Sequence, residues 1–188
     1  LKLKKNSLIS KNVTNKKTTL AVRFPKHPVT RNLLKKLNYP LAAPSANIST
    51  KISPVSKKDV QDEFGKKISL ILDGGPSKIG VESTIIDLIN KPQILRLGGI
   101  PKEEIKAYLR LNLRLNSRSK IKSPGQGKTH YSPYIKLRLN VKAINKNEAF
   151  VLIKKRKKIS KNYFYLSKKN NLKEAAKNLY KTLRIIKK

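Results

Sequence analysis

The sequence predicts a protein of the α/β class, because segments with the period of a strand alternate with segments that have the period of a helix. Two observations support this prediction. Residues 68–73, ISLILD, are a continuous apolar run of the kind that is buried in the centre of a sheet. The last predicted helix, 171–186, places apolar residues on one face: Leu172, Ala175, Ala176, Leu179, Leu183 and Ile186.

The predicted helices begin and end at residues suited to helix ends. Pro28 favours the first turn of a helix over 29–37. Ser56 is a predicted N-cap, and Gly65 ends the helix that Ser56 begins. These residue types satisfy, or do without, the backbone groups that a helix end leaves unpaired.

Two later helices show the same kind of signal. Pro101 opens a helix whose first turn carries Glu103 and Glu104, where the helix dipole favours negative charge. Asn171 and Glu174 form a variant of the capping box at the start of the last helix, with Asn in place of Ser or Thr.

The predicted strands are short apolar or alternating runs between turn residues. They lie at residues 19–24, 40–44, 68–73, 83–88, 93–98, 149–153 and 163–167. A turn at Asn90–Pro92 separates two of them. Residues 115–134 show no apolar period, are rich in Ser, Gly, Pro and Lys, and indicate a linker or a long functional loop.

The chain is strongly basic, with 45 Lys and Arg against 10 Asp and Glu and a net charge of +35. Two interpretations stay open. A nucleic-acid partner would use the cations to neutralise phosphates. Alternatively, AT-biased codon usage enriches Lys, Asn and Ile without any such partner. Most of the excess Lys is spread along the chain, and the exceptions are two clusters at 117–123 and 154–158.

Several classes of site are excluded or disfavoured. The chain has no cysteine, which excludes disulfides, thiolate catalysis and Cys-based metal sites. No apolar run approaches the roughly 18–20 residues that span a bilayer, so we expect no membrane contact and a cytoplasmic location. His27 and His130 lack metal-ligand spacing, and no Ser/His/Asp set or acid pair is evident. We therefore predict neither a catalytic side chain nor a metal-ligating one.

Three polar segments are candidates for ligand binding. In 41–54, LAAPSANISTKISP, Ser45 and Asn47 would point the same way if extended, although Ser-Ala-Asn is also typical of a turn or cap. In 72–88, Gly74 and Gly75 permit a sharp bend or a close approach to a ligand, although the segment taken alone is more typical of an ordinary Gly-rich loop between strands. The third segment, 123–133, either crosses a binding face or is a plain interdomain linker.

Taken together, these segments resemble the YrdC-like threonylcarbamoyl-AMP synthases. The resemblance rests on TTLAVRFPKHPVTRNLL, PLAAPSANISTKISP, LILDGGPSKIGVESTIIDL, ILRLGGI and SPGQGKTHYSP, in the family's order and near its spacing. The end of the chain, YFYLSKKNNLKEAAKNLYKTLR, is similar to the small C-terminal domain of the longer members.

The resemblance implies a fold and a reaction. The fold would be a twisted open α/β sheet over 1–114, incomplete at its N-terminal side, a linker over 115–135 crossing the active site, and a small Rossmann-like domain over 136–188. The reaction would join L-threonine, bicarbonate and ATP, with Mg²⁺, into threonylcarbamoyl-AMP and pyrophosphate. The product would pass to the machinery that transfers the threonylcarbamoyl group to tRNA, and a weak tRNA contact would be possible.

The resemblance also assigns residues to ligands. For ATP they are Thr19, Ser45, Asn47, Ser53, Arg96 and Tyr131. For L-threonine they are Arg23, Ala43 and Ser83. The planar guanidinium of Arg23 suits a carboxylate.

The sequence departs from the family pattern at its start. Residues 1–18 do not match the family's first strands or its Lys/Arg-rich triphosphate motif, and residue 1 is not Met. We therefore expect a fragment with little or no synthase activity, which pyrophosphate release by the purified chain would test. The alternative to a synthase is a non-catalytic, basic RNA-binding module associated with tRNA or the ribosome, or an inactive fragment.

Overall fold

The structure, a computed structural model, describes residues 1–89, 91–110, 112–115, 130–156 and 160–187. Its helices are α1 (Lys11–Thr14), α2 (Pro28–Lys35), α3 (Lys57–Phe64), α4 (Lys102–Leu109) and α5 (Leu172–Lys187), and a 3₁₀ turn at Gly65–Lys67 follows α3. Its strands are β1 (Ile85–Asp87), β2 (Gln93–Arg96), β3 (Arg114–Leu115), β4 (Phe150–Leu152) and β5 (Tyr163–Tyr165). The predicted α/β class is confirmed.

The chain divides into two compact units. The first comprises Leu1–Ser45 and Thr84–Lys120, and the second comprises Ala46–Ser83 and Ile121–Lys188. The predicted domain limits, 1–114, 115–135 and 136–188, follow the positions of motifs and stay a prediction. Within the predicted linker, residues 116–129 lie outside the described part of the chain.

The first unit is built on a three-stranded sheet in the order β1-β2-β3. Strand β1 runs antiparallel to β2, while β3 runs parallel to it. Ile94 of β2 and Leu113 beside β3 are fully buried, and Ile105 of α4 packs with them. Ile86 of β1 is partly buried against this cluster. Because successive side chains of a strand point to opposite faces, Ile86 and Ile94 place one face of the sheet against α4.

The C-terminal part of the second unit pairs β4 with β5 in parallel. The ring of Phe150 meets the ring of Tyr163 edge-on at 5.4 Å, a geometry that aromatic pairs prefer. Ser167, just after β5, donates its hydroxyl to Glu174 of α5 at 2.5 Å, and Asn178 donates its amide to the Leu166 carbonyl at 2.8 Å. These side-chain bonds fix the start of α5 against the end of β5.

An exposed ion pair in the second unit has a measurable consequence. Arg138 donates two hydrogen bonds to the carboxylate of Glu148, one of them from Nε to Oε1 at 2.9 Å. The hydrogen bonds from Arg138 lower the pKa of the Glu148 carboxyl, and the backbone N–H of Asn145 lowers it further. A depressed carboxyl pKa adds stability above the unfolded-state pKa, and this stability is lost as the pH falls through the folded-state pKa.

We therefore expect Arg138→Gln to raise the pKa of Glu148 towards its ordinary value, because the variant removes the charged donor. An NMR titration of the Glu148 carboxyl measures this change. Arg156→Gln is the control, since Arg156 bonds to the Lys142 carbonyl and lies over the Phe150 ring instead. An equal rise in both variants would contradict the assignment to Arg138.

The predicted helix ends are confirmed. Pro28 is the first residue of α2. The hydroxyl of Ser56 accepts from the Asp59 N–H at 3.2 Å, and Gly65 ends α3 with a φ of 55°. At the start of α5, Asn171 Oδ1 accepts from the Glu174 N–H at 3.0 Å. Each of these ends depends on residues within three or four positions, which is why the sequence predicts them.

The buried face of α5 coincides in part with the predicted apolar face, of which Ala176, Leu179, Leu183 and Ile186 are half-buried. Ala175 is buried as expected, but Leu172 is 71% exposed, while Tyr180 and Thr182 are buried. The reason is that α5 contacts the segment 46–83 of its own unit as well as β5. Tyr180 bonds to Glu82 there. A polar side chain on a helix is therefore buried where it finds a hydrogen-bonding partner.

The strands predicted at 83–88, 93–98, 149–153 and 163–167 are confirmed by β1, β2, β4 and β5. Asn90, in the predicted turn between β1 and β2, lies outside the described residues.

The strands predicted at 19–24, 40–44 and 68–73 are wrong. Only Thr19 forms an isolated bridge, with Lys2, and Phe24 is 87% exposed. Leu70 and Leu72, expected in a sheet centre, are 74% and 54% exposed. A strand exists through hydrogen bonds to a neighbouring strand, and an apolar run alone does not supply that neighbour.

Candidate functional site

Asn47 closes a tight turn in the second unit. Its amide group donates to the carbonyls of Ile48 at 2.9 Å and Lys51 at 3.1 Å. Its Oδ1 is buried and accepts no hydrogen bond. Since a buried acceptor without a partner costs free energy, Oδ1 is a natural point of contact for a ligand that donates a hydrogen bond.

Ser53 and Tyr180 meet at one carboxylate. The hydroxyl of Ser53 donates to Glu82 Oε1 at 2.5 Å, and the hydroxyl of Tyr180 donates to Glu82 Oε2 at 2.7 Å. Tyr180 is 7% exposed, and the other two side chains are half-buried. Hydrogen bonds to a carboxylate are stronger than those between neutral groups, so this bridge is a fixed feature of the unit.

Tyr131 joins the same region through its ring and its backbone neighbours. The rings of Tyr131 and Tyr180 lie 5.9 Å apart. The His130 ring lies 4.2 Å from the Tyr131 ring and is tilted by 59° to it. The next residue, Ser132, donates its N–H to the Thr50 carbonyl at 2.9 Å and forms a bridge with Lys51. The end of the predicted linker is thereby held beside the Asn47 turn.

The loop before Ser83 lies against α5. At Gly80, with a φ of 81°, an added Cβ would lie 2.2 Å from the backbone oxygen of Lys177. This glycine is required because the helix backbone leaves no space for a side chain. The loop ends at Ser83, which is exposed and adjoins Glu82.

Arg184 of α5 anchors the segment that carries Ser53. It donates to the Ile52 carbonyl at 2.6 Å and the Ser53 carbonyl at 3.4 Å. It also forms an ion pair with Glu63 at 3.0 Å, and only 16% and 6% of these two side chains is exposed. A cavity of about 20 Å³, large enough for one water molecule, lies beside this pair.

The second unit thus brings four of the nine predicted ligand residues into one connected region. They are Asn47, Ser53, Ser83 and Tyr131. The Gly74-Gly75 segment is a turn, in which Asp73 Oδ1 accepts from the Gly75 N–H at 2.9 Å. An open groove of about 460 Å³ adjoins this turn and is lined in part by Ser56, Lys57 and Asp73.

The other five predicted residues lie in the first unit, on three segments. Thr19 forms the bridge to Lys2, and Arg96 is on β2 opposite Ile85. Arg23, Ala43 and Ser45 are exposed. That these five share a site stays a prediction.

In the ranges given above, no group of three or more His, Asp or Glu side chains is placed to hold a metal ion. Over the same ranges, no helix has both the length and the apolar character needed to cross a membrane.

Comparison with known families covers nearly the whole chain. Residues 1–98 match the Sua5/YciO/YrdC family model, described as telomere recombination. Residues 100–188 match the model described as threonylcarbamoyl-AMP synthase, C-terminal domain. The chain belongs to the Sua5/YciO/YrdC family. The predicted membership, including the additional C-terminal domain, is confirmed.

Several curated proteins are about 40% identical in sequence to this chain. The threonylcarbamoyl-AMP synthase of Pyrococcus abyssi is 42% identical over 139 residues, which are 71% of this chain and 41% of that protein. The Schizosaccharomyces pombe enzyme of the same name is 43% identical over 147 residues, 72% of this chain and 36% of that protein. The chain therefore spans about two fifths of these curated relatives.

A solved structure of this family is similar in fold. The crystal structure of P. abyssi Sua5 complexed with L-threonine has a TM-score of 0.80 and 34% sequence identity. The match covers 96% of this chain and 58% of that one.

Sequence reasoning missed three residues that organise the second unit of this Sua5/YciO/YrdC chain: Glu82, Tyr180 and Arg184. One signal was available for Glu82, because it immediately precedes a predicted ligand and is one of only 10 acidic residues. Tyr180 and Arg184 carried no such signal, since their partners lie 98 and 121 positions away.

Proposed function

We propose that this chain is a ligand-binding part of an L-threonylcarbamoyladenylate synthase, a nucleotidyltransferase that serves tRNA modification. The observation that supports this proposal best is the likeness of 96% of the chain to a Sua5 structure complexed with L-threonine. The region around Asn47, Ser53 and Tyr131 offers hydroxyls, an amide oxygen and an aromatic face, which suit a nucleotide.

The proposed reaction needs no nucleophile from the protein. The amine of L-threonine adds to carbon dioxide from bicarbonate and gives a carbamate. A carbamate oxygen then forms a bond to the α-phosphorus of ATP, while the bond from that phosphorus to the bridging oxygen breaks and pyrophosphate leaves. The protein contributes by aligning two anions and by stabilising the charge that develops on the phosphate.

The proposed ligand roles follow from the resemblance to the family's motifs, and the chemistry of the side chains suits them. Arg23 would pair its planar fork with the threonine carboxylate. The backbone of Ala43 and the hydroxyl of Ser83 are the other proposed contacts of L-threonine. The ATP contacts would be Thr19, Ser45, Asn47, Ser53, Arg96 and Tyr131. The unpartnered Asn47 Oδ1 is suited to a donor such as the amino group of adenine.

Mg²⁺ is expected with ATP, but the described residues do not themselves form a cage for it. In nucleotide enzymes Mg²⁺ is commonly held through substrate phosphates with one or two carboxylates. We further propose a cytoplasmic location and transfer of the product to a tRNA-modifying enzyme.

Arg23→Gln tests the proposal most directly. We expect at least a tenfold loss of L-threonine affinity, because a charge-assisted hydrogen bond contributes roughly 1.5–3 kcal/mol. Isothermal titration calorimetry with L-threonine measures this loss at fixed ionic strength. Lys26→Gln is the matched control, since Lys26 lies three positions after Arg23 in the same exposed segment and the variant removes an equal charge. A chain that binds neither L-threonine nor ATP, or equal losses in both variants, would contradict the proposal.

The net charge of +35 favours a second candidate, a basic RNA-binding module without catalysis. Of the two basic clusters, 117–123 lies outside the described residues and 154–158 does so in part. This candidate predicts tight RNA binding that weakens steeply with salt, no thermal shift with ATP and threonine, and an RNA affinity nearly unaffected by Arg23→Gln.

A further inference from the structure

The carboxylate of Glu82 connects the C-terminal helix to a proposed nucleotide contact. Each of its two oxygens accepts a hydrogen bond from one hydroxyl group. Oε1 accepts from Ser53 at 2.5 Å, and Oε2 accepts from Tyr180 at 2.7 Å. The two donors come from positions 29 and 98 residues away along the chain. A single carboxylate therefore links α5 to the segment that carries Ser53.

Other contacts hold the same two partners in place. Arg184, one turn beyond Tyr180 on α5, binds the carbonyls of Ile52 and Ser53. Gly80, two residues before Glu82, lies directly against the backbone of Lys177. The Ser77 N–H also donates to the Val55 carbonyl at 2.7 Å, which ties the loop before Glu82 to the segment after Ser53. The orientation of the Ser53 side chain therefore depends on contacts with α5.

The direction of the Ser53 hydrogen bond restricts what Ser53 can bind. A serine hydroxyl has one hydrogen and two lone pairs. Because that hydrogen is donated to Glu82, the oxygen is left as an acceptor. A phosphate oxygen without a proton cannot donate to it, whereas a ribose hydroxyl or the adenine amino group can.

We propose that Tyr180 is a positioning residue that, through Glu82, holds Ser53 as a hydrogen-bond acceptor for the nucleoside part of ATP. The inference rests on the proposed function, in which Ser53 contacts ATP. It adds that the C-terminal helix orients this contact and that the contact is made to the nucleoside and not to the triphosphate.

The test compares Tyr180→Phe with Tyr165→Phe in the full chain. Both variants remove one phenolic hydroxyl, but the hydroxyl of Tyr165 is buried without a hydrogen-bond partner. Hydrogen exchange of the backbone amides in 52–55 and 77–83 is the first measurement. We expect faster exchange in Tyr180→Phe, including at Ser77, and unchanged exchange in Tyr165→Phe. Unchanged exchange in both variants would overturn the positioning role.

The second measurement uses two separate probes, adenosine and inorganic tripolyphosphate, followed by NMR titration. We expect Tyr180→Phe to weaken adenosine binding about three- to tenfold, the usual effect of one lost hydrogen bond, and to leave tripolyphosphate binding unchanged. Ser53→Ala should show the same pattern. A loss of tripolyphosphate binding instead would overturn the assignment to the nucleoside.

The two proposals fail in different ways. If the unmodified chain binds neither adenosine nor L-threonine, the proposed function and the acceptor role of Ser53 are both contradicted, and the exchange data still decide the positioning by Tyr180. If the unmodified chain binds adenosine and Tyr180→Phe binds it equally well, only the positioning inference is overturned. Glu82→Gln provides a second variant, because its amide can donate to Ser53 and leave that hydroxyl free to donate, which should improve tripolyphosphate binding.

Discussion

Arg184→Gln is expected to lower the free energy of unfolding by about 3–5 kcal/mol, the usual effect of removing one partner from a buried ion pair. Arg184 and Glu63 are 16% and 6% exposed. Glutamine is too short to reach Glu63 and carries no charge. The carboxylate of Glu63 would then keep only the hydrogen bond from the Ile48 N–H, at 2.8 Å. The carbonyls of Ile52 and Ser53 would lose their donor in the same variant.

Urea unfolding followed by tyrosine fluorescence measures this change, because the chain has seven tyrosines and no tryptophan. Arg138→Gln is the matched control. It breaks an ion pair whose arginine is 49% exposed, and we expect a much smaller effect. Combining Arg184→Gln with Glu63→Gln should recover part of the loss, since no buried charge is then left alone. Equal effects of Arg184→Gln and Arg138→Gln would contradict the buried pair.

Gly80→Ala is expected to destabilise the chain by roughly 2–5 kcal/mol, the sum of a left-handed backbone cost and a steric clash. The φ of Gly80 is 81°, and its added Cβ would lie 2.2 Å from the oxygen and 2.6 Å from the Cα of Lys177. These are backbone atoms of a helix, so they cannot move aside as a flexible side chain would.

Gly75→Ala separates the two contributions to this effect. Gly75 has a similar φ of 75°, but an added Cβ there meets nothing within 4 Å. We expect Gly75→Ala to cost only about 1–2 kcal/mol, the backbone contribution alone. The same urea unfolding experiment measures both variants. If the two were equally destabilising, the close approach of the 77–83 loop to α5 would be refuted.

Local signals account for the parts of the fold that the sequence predicts correctly. Ser56 and Asn171 cap α3 and α5 through hydrogen bonds to residues three positions on, and Gly65 ends α3 with a positive φ. A helix forms its backbone hydrogen bonds within one segment, so the residues next to its ends determine where it begins and stops. The same reasoning identified the last helix, although it did not predict that Tyr180 is buried.

The incorrect strands show where local reasoning stops. The runs at 19–24 and 68–73 have the right residues for strands, yet Phe24 and Leu70 are largely exposed. By contrast, β1 and β2 exist because a short connection brings Ile85 opposite Arg96. Pairing with another segment decides whether an apolar run becomes a strand, and composition does not encode that pairing.

The candidate site also combines features that local motifs predict with contacts between residues far apart in the chain. Motifs and caps, which are read from residues close together in the chain, were enough to predict the family, the α/β class, most helix ends and the list of candidate ligand residues. The bridge from Glu82 to Ser53 and Tyr180, and the support of the same segment by Arg184, are visible only in the folded chain. Those contacts join residues 29 to 132 positions apart, and they are stabilised by burial and hydrogen bonding that arise only when the chain folds.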